Sequence, residues 1–384
     1  MKISIPLIIW TLFSVVSCVQ TNPRNTSPTH DKFTFKRGVL VTHWTGVVAP
    51  RYLGQSNVAH TYGADWFDEE DVNWIAEKGF DHLQINVDVR WWFSNDEEEN
   101  KKNIKIYKKA LDWANNKGLG VILIFDVHPF VEQPDPFDNE VISERAEQWG
   151  EISKELLEYR EGLRFHFGNR EIPLSSNPSE RFLNFYNTIR DIDKERFIYV
   201  PIPIDIDTSK SYSSYLNYPE GGTYQNLTAL NLDEFDGKVG VSFIYFEPEV
   251  FIYQKPAQMP SVFFPGKVPE FADNIPDSLF YPNYLPVAKS NSGKYLDEKS
   301  VNEDFFNISN TLNQKYPNRE IYLERFGVHL GLDSLSSVNY IKAIKNSAHN
   351  NNISWCIYDY ESGRAIRDSL GNPFPHFYGL ELEK

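Results

Sequence analysis

Two places in the chain set a glutamate beside an arginine at the end of an apolar run. One is Glu324-Arg325 in IYLERFGVHL (321–330), and the other is Arg170-Glu171 in GNREIP (168–173). A carboxylate can attack an electrophilic carbon or shuttle a proton, whereas a guanidinium stays protonated and can do neither. Arginine can instead hold a carboxylate or sulfate through paired hydrogen bonds. The two places therefore allow either acid–base chemistry or the binding of an anion.

Aromatic side chains lie at similar positions along the sequence. Aromatic residues make up 15% of the chain, which suits a cleft that stacks flat ligands as well as a core. The candidate ligand-binding residues at or just beyond apolar runs are Trp44, Trp91, Tyr245 and Tyr358, with His128 as a hydrogen-bonding candidate. Packing within a rim is the alternative for the aromatic residues, and a satisfied core position is the alternative for the histidine.

Charge and cysteine content exclude several classes of function. The net charge is −15 without a basic block, which argues against nucleic acid as a partner. Only Cys18 and Cys356 occur, so neither a disulfide framework nor a cysteine-based zinc site is possible. No Gly-rich phosphate loop, HExxH or GxSxG motif is present, and no cofactor is expected.

The first 34 residues have the pattern of a targeting segment and a tether. Lys2 precedes an apolar run, Ile3–Val16, that is short for a membrane span. The end at Ser17-Cys18 predicts a bacterial lipoprotein signal over residues 1–17, with Cys18 as the lipidated residue. An ordinary secretory signal cleaved nearby is the alternative. Residues 18–34 are polar and predict a flexible tether, so we expect a lipid-anchored envelope protein of the outer membrane, facing either the periplasm or the surface.

Strand-like and helix-like runs alternate over residues 35–384. The eight predicted strands are 37–44, 81–87, 121–127, 163–167, 196–204, 239–246, 319–324 and 353–360. Helices are predicted over 67–78, 100–117, 143–161, 180–190, 301–315 and 334–350. Such alternation predicts parallel pairing and a single (β/α)₈ TIM barrel. Two long segments, Thr45–Trp66 and Glu247–Ser300, follow strands and are therefore expected on the C-terminal rim, where such barrels bind ligands.

Four blocks of this chain resemble the family 5 glycoside hydrolases, which are cellulase-like retaining barrels. YKKALDWANNKGLGVILIFDVH (107–128) resembles the family block that ends at strand three, and FLNFYNTIRDIDKERFIYV (182–200) the block around strand five. SFIYFEPEVFIYQ (242–254) and ISWCIYDYESG (353–363) resemble the blocks of strands six and eight. The resemblance spans residues 37–382 and implies the same barrel.

The resemblance also implies positions for the functional residues, and most of them are replaced. His128 and Asn169 match the family. The replacements are Gln84 for an arginine at strand two, Arg170 for the acid/base glutamate at strand four, Ile244 and Phe246 for a histidine and a tyrosine at strand six, Arg325 for the nucleophilic glutamate at strand seven, and Tyr358 for the platform tryptophan at strand eight. Because retaining cleavage needs two carboxyl groups about 5–5.5 Å apart, arginines at both positions predict that this mechanism is lost.

A shift of one residue in each of two strands would restore the carboxylates as Glu171 and Glu324. One step along a strand turns a side chain to the opposite face, so each shift needs a bulge. GNREIP has extra residues that make an irregularity plausible, whereas YLERFG shows nothing comparable. The arginines either bind an anionic sugar or are neutralised internally by Asp126, Glu247 or Glu324.

Three hypotheses remain open from the sequence. The first is an envelope lipoprotein that binds an oligosaccharide or polysaccharide, anionic if the arginines face it, without cleaving it. The site would comprise Trp44, Trp91, His128, Asn169, Arg170, Tyr245, Glu247, Arg325 and Tyr358. The second is an active endoglucanase- or mannanase-like retaining hydrolase that uses Glu171 and Glu324. The third is an envelope scaffold that binds no sugar.

Overall fold

Eight parallel strands close into a barrel in the computed structural model of the protein. The strands are β1 (Arg37–Val41), β2 (His82–Val87), β3 (Gly120–Phe125), β4 (Leu163–Phe167), β5 (Ile198–Pro201), β6 (Val239–Ile244), β7 (Ile321–Phe326) and β8 (Ser354–Ile357). Each strand pairs with its neighbours in sequence, and β1 pairs with both β2 and β8. The predicted (β/α)₈ barrel is confirmed.

The structure describes residues 33–41, 47–48, 60–61, 67–87, 97–125, 139–168, 177–203, 226–254, 261–271, 284–360 and 364–382. Residues from Phe33 onward form one compact unit. Phe33 and Phe35 are buried, and they belong to the apolar cluster inside the barrel.

Helices occupy the segments between the strands. They are α1 (Glu69–Glu77), α2 (Glu97–Asn116), α3 (Asn139–Glu155), α4 (Pro178–Ile192), α5 (Glu249–Ile252), α6 (Tyr284–Ser290), α7 (Glu298–Lys315) and α8 (Ser334–Asn350). Short 3₁₀ turns cover Leu157–Tyr159 and Pro375–Leu380, and two antiparallel ribbons pair Val47–Val48 with His60–Thr61 and Gly266–Lys267 with Tyr295–Leu296. No helix among the described residues is long and apolar enough to cross a membrane.

Local sequence explains where several helices begin and end. The Asp68 side chain accepts hydrogen bonds from the backbone N–H groups of Glu70 and Asp71, which otherwise lack helical partners. Asp297 caps α7 in the same way through Ser300. Gly79 follows α1 with φ 88°, a left-handed conformation that glycine adopts without steric cost.

Alternation along the strands separates two cores. Outward residues such as Val39 and Leu323 pack against the helices, whereas inward residues such as Leu40 and Tyr322 fill the barrel. At its N-terminal end Phe35 packs against Gly120, where an added Cβ would lie 2.5 Å from the Phe35 ring. A side chain at position 120 would therefore displace the Phe35 ring from the N-terminal end of the barrel.

The end of β7 departs from regular pairing. Its register shifts between Leu323 and Arg325 relative to β6, and between Leu323 and Phe326 relative to β8. The expectation that YLERFG carries no irregularity is therefore wrong. A bulge changes which face consecutive side chains present, so Glu324 and Arg325 do not simply alternate.

Candidate functional site

Glu324 lies inside the barrel near the C-terminal end of β7. Its side chain is completely buried (0% exposed), with Oε2 3.3 Å from His166 Nε2 and Oε1 3.0 Å from Arg325 Nε. His166 comes from β4, and its Nε2 also lies 2.7 Å from the Ser242 hydroxyl on β6. The carboxylate is thus held between a cation and an imidazole inside the barrel, which fits the internal neutralisation considered for Arg325.

Arg325 links this buried carboxylate to the barrel mouth. Only 8% of the residue is exposed, and its guanidinium carbon lies 5.9 Å from the centroid of the Tyr358 ring. Tyr358 follows β8, and by the resemblance it takes the position of the family's platform tryptophan. Arg325 therefore places a cation beside that ring. The two sequence-predicted residues Arg325 and Tyr358 are brought together.

A second arginine, Arg364, lies against the same ring. Its guanidinium carbon is 4.5 Å from the Phe246 ring centroid, 5.5 Å from that of Tyr253 and 5.9 Å from that of Tyr358. Its Nη1 donates to the Gly327 carbonyl (3.3 Å), and its Nη2 lies 3.1 Å from His329 Nε2. We call Arg364, Phe246, Tyr253 and Tyr358 the mouth arginine box.

Sequence reasoning missed Arg364 because it lies in a loop after β8, at no position that the family resemblance marks. The residue is 6% exposed. Buried arginines are rare unless paired, but nothing in the string ESGRAIRD (361–368) shows that this arginine rather than Arg367 is turned inward. Arg367 instead forms an ion pair with Asp71 on α1.

Tyr245 does not face the barrel mouth, and its assignment as a ligand-binding residue is wrong. Its hydroxyl donates to Asp304 Oδ2 on α7 (2.7 Å), and its ring packs edge-on against Phe305. Burial raises the pKa of the Tyr245 hydroxyl well above its ordinary value. The residue lies between strand and helix because it occupies an outward position of the alternating pattern.

Glu247 lies at the start of the loop after β6, next to α5. Its carbonyl accepts from the Tyr340 hydroxyl (2.9 Å), and its Oε2 accepts from the Glu249 backbone N–H (3.2 Å). Glu249 itself is partly buried, and burial raises the pKa of its carboxyl to about 7. This part of the rim therefore holds two carboxyl groups, one of which takes up a proton near neutral pH.

At the opposite end of the barrel another arginine is fully neutralised. Arg164 Nη1 donates to Glu320 Oε1 (3.0 Å) and Oε2 (2.9 Å), and it also contacts the Tyr199 hydroxyl. Tyr199 donates to Glu320 Oε1 (2.7 Å). The Arg164 guanidinium carbon lies 4.0 Å from the Phe35 ring centroid and 4.3 Å from that of Phe197.

Gln84 and Cys356 belong to the barrel interior below the mouth. Gln84 Oε1 accepts from the Tyr322 hydroxyl (2.8 Å), so the residue at the family's strand-two arginine position takes part in an internal hydrogen bond. Cys356 is a buried free thiol, as expected, and burial raises its pKa. Neither residue presents a reactive group at the mouth.

Several predicted site residues lie outside the described residues and stay predictions. They are Trp44, Trp91, His128, Asn169, Arg170 and the fallback carboxylate Glu171, together with the lipidation residue Cys18. Within the described ranges, no group of three or more His, Cys, Asp or Glu residues is arranged to hold a metal ion.

Known proteins similar to this chain are endoglucanases and cellodextrinases. Endoglucanase C of Acetivibrio thermocellus is 24% identical over 262 residues, which cover 63% of this chain and 71% of that protein. Cellodextrinase A of Ruminococcus flavefaciens is 24% identical over 268 residues, covering 67% and 73% of the two chains. No protein-family model matches the chain.

Solved structures agree on the fold. Endoglucanase Cel5A of Thermotoga maritima aligns over 90% of this chain and 97% of its own, with a TM-score of 0.64 and 18% identity. Other structures of that enzyme hold mannotriose or cellobiose. The chain is therefore similar in sequence to endoglucanases and shares the (β/α)₈ barrel of the solved ones, as its resemblance to family 5 predicts.

Proposed function

We propose that the protein binds a saccharide in the mouth of its barrel and does not cleave it by the retaining mechanism. The observation that carries this proposal is the state of Glu324, whose carboxylate is completely buried between Arg325 and His166. A nucleophilic carboxylate must reach the anomeric carbon of a bound sugar. A carboxylate that is buried inside the barrel beside a cation lacks the access that this attack needs.

The relatives support a saccharide as the ligand. Cel5A of Thermotoga maritima has been solved with cellobiose and with mannotriose. In barrels of this architecture ligands bind at the C-terminal ends of the strands. The mouth of this barrel carries Tyr358 and Phe246 with two guanidinium groups. We therefore infer an oligosaccharide or polysaccharide ligand at that end.

A screen of polysaccharides scored for both binding and product tests the proposal. Wild-type protein is incubated with β-glucans, mannans, xylans and acidic polysaccharides, and binding is measured by affinity electrophoresis while released reducing ends are assayed in parallel. We expect binding to at least one polysaccharide without release of reducing ends. Enzymatic turnover of any of them contradicts the non-cleaving proposal, and the absence of all binding favours a scaffold that takes no sugar.

One observation favours a second candidate, a retaining hydrolase that uses Glu324. The register shift beside Glu324 is the kind of irregularity that such a relocated carboxylate requires. If turnover is detected, Glu324→Gln should abolish it and Arg325→Gln should not. The double variant Arg170→Glu with Arg325→Glu provides the converse test, because a gain of hydrolysis would identify those two positions as the sites from which activity was lost.

We also propose that the mature protein is a lipid-anchored protein of the bacterial cell envelope. Cys18 follows an apolar segment with the pattern of a lipoprotein signal. Metabolic labelling with an alkyne fatty acid should label the wild-type protein and leave Cys18→Ala unlabelled. Equal labelling of both, or recovery of the wild-type protein only from the soluble fraction, would contradict the anchor.

A further inference from the structure

We propose that Arg364 binds the anionic group of an acidic glycan, either the carboxylate of a uronic acid or a sulfate ester. This inference rests on the proposed saccharide binding and names the class of sugar that the mouth selects. Arg364 supplies the charge, and the rings of the mouth arginine box hold its guanidinium in place.

The charge of Arg364 has no carboxylate partner among the described residues. Arg364 is 94% buried, since only 6% of the residue is exposed, yet no aspartate or glutamate in the described part of the chain forms an ion pair with it. A buried guanidinium is costly unless an anion compensates it. Cation–π contacts with Phe246, Tyr253 and Tyr358 offset part of that cost, and an anionic ligand would offset much of the rest.

Arg364 lies at the end of the barrel where the strands have their C-terminal ends. The groups around Arg364 come from the ends of three strands: Phe246 follows β6, Gly327 follows β7 and Tyr358 follows β8. Those ends form the face at which barrels of this kind bind ligands. A cation buried at the N-terminal end would serve stability alone, whereas one at this face lies where a sugar would enter.

The planar guanidinium of Arg364 suits an anion that presents two oxygens. A guanidinium carries five N–H donors in a planar fork. Bonds to the Gly327 carbonyl and His329 Nε2 use part of that set. The remaining donors can pair with two oxygens of one carboxylate or sulfate, which is the arrangement that arginine favours. Arg325 lies beside the same Tyr358 ring, but its charge is offset by Glu324, so Arg364 supplies the charge for an anion at this point.

Calorimetric titration of the full-length protein with matched oligosaccharides tests the inference. The probes are a uronate oligomer, a sulfated oligomer and a neutral β-linked oligomer of equal length. The variants are Arg364→Gln, which removes the charge, and Arg364→Lys, which keeps the charge but loses the planar fork. Lys299→Gln is the matched control, because it removes one positive charge from a side chain that is 82% exposed on α7.

We expect wild-type protein to bind at least one anionic oligomer about tenfold or more tightly than the neutral one. Arg364→Gln should lose that preference while its affinity for the neutral oligomer stays within about twofold, and Lys299→Gln should behave as wild type. Arg364→Lys should keep only part of the preference. Whether the uronate or the sulfated oligomer shows the preference identifies the anion.

Other outcomes overturn the inference in distinguishable ways. Equal wild-type affinity for neutral and anionic oligomers refutes it and leaves the proposed saccharide binding intact, and this comparison needs no variant to fold. A uniform loss of affinity for all oligomers in a folded Arg364→Gln shows a structural role and also refutes it. Failure of the wild-type protein to bind any oligomer refutes the proposed function together with this inference.

Discussion

Arg164 and Arg364 lie at opposite ends of the same barrel in similar aromatic surroundings. Each guanidinium carbon lies within 6 Å of three aromatic ring centroids. Arg164 is also bound by both oxygens of Glu320, whereas no carboxylate of the described residues neutralises Arg364. The comparison separates two uses of one packing arrangement: a closed ion pair that holds the barrel together, and a cation left for a ligand.

Arg325 shares its position with Arg364 and its pairing with a carboxylate with Arg164. It lies at the mouth beside Tyr358, like Arg364, but its Nε is 3.0 Å from the buried Glu324 carboxylate. Among the described residues, Arg325 thus has a carboxylate partner at the mouth and Arg364 has none. The difference in charge balance between the two ends predicts different responses when each charge is removed.

Removing the Glu324 charge should have the largest effect on stability. Glu324→Gln removes the carboxylate that lies 3.0 Å from the 8%-exposed Arg325, and we expect the free energy of unfolding to fall by about 3 kcal/mol in urea denaturation. The double variant Glu324→Gln with Arg325→Gln should recover part of that loss. An unchanged or raised stability would instead indicate a carboxylate retained for chemistry at the expense of stability.

Removing the Glu320 charge should cost less, because its pair is more exposed. The Arg164 and Glu320 side chains are 19% and 26% exposed, so water screens the charge that remains. We expect Glu320→Gln to lower the free energy of unfolding by about 2 kcal/mol. If the urea midpoint of Glu320→Gln matches that of wild type, the Arg164–Glu320 ion pair does not contribute to stability. The contrast between Arg164 and Arg364 would then be wrong.

The rim carboxyl Glu249 should make stability depend on pH. Burial raises its pKa from 4.5 to about 7, so between these values the folded protein holds more protons than the unfolded chain. Stability therefore rises as the pH falls through about 7 towards 4.5, and the cost of burying the charge is felt above pH 7. Glu249→Gln should be about 1 kcal/mol more stable than wild type at pH 8, after allowance for its partial exposure, and no more stable at pH 4.

Urea denaturation of both proteins at pH 4 and pH 8 measures this difference. The exposed Glu303→Gln, from a side chain that is 63% exposed on α7, is the control and should show no such dependence. A constant difference between Glu249→Gln and wild type at the two pH values would contradict the assignment of the titration to Glu249.

Removing the Arg364 charge should have the smallest effect on stability. Arg364→Gln loses cation–π contacts but also removes a buried cation that lacks a carboxylate, so we expect a change below about 1 kcal/mol. Arg164→Gln should lower the free energy of unfolding by more, because it leaves the Glu320 carboxylate without this cation. Thermal and urea denaturation of the two variants measures this difference. Equal losses of stability would contradict the proposed difference in charge compensation between Arg164 and Arg364.

The sequence predicted the arrangement of the barrel well because the signals are local. Buried parallel strands appear as continuous apolar runs, so β4 has the predicted bounds of 163–167 and α8 the predicted bounds of 334–350. Gly79 and Gly118 directly follow the predicted helices 67–78 and 100–117, and both residues have positive φ. The bounds of the other elements shift by a few residues, since helix ends depend on caps and tertiary contacts.

The site was predicted less completely. The pairing of Arg325 with Glu324 was one of the sequence alternatives, and the structure contains it. Tyr245 was placed wrongly, because an aromatic residue after a strand can face either the mouth or a helix. The irregularity at Glu324 was missed, because it arises from the register of β7 against both β6 and β8 and leaves no mark in YLERFG.

By itself the sequence determined the eight-stranded barrel and its similarity to cellulase-like hydrolases. Periodicity and local motifs carry that information along the chain. Only the tertiary structure decided which charges are compensated. Glu320 reaches Arg164 across 156 positions of sequence, and Arg364 meets Phe246 across the barrel mouth. Charge balance depends on distances and burial in three dimensions, and residue order does not encode those directly.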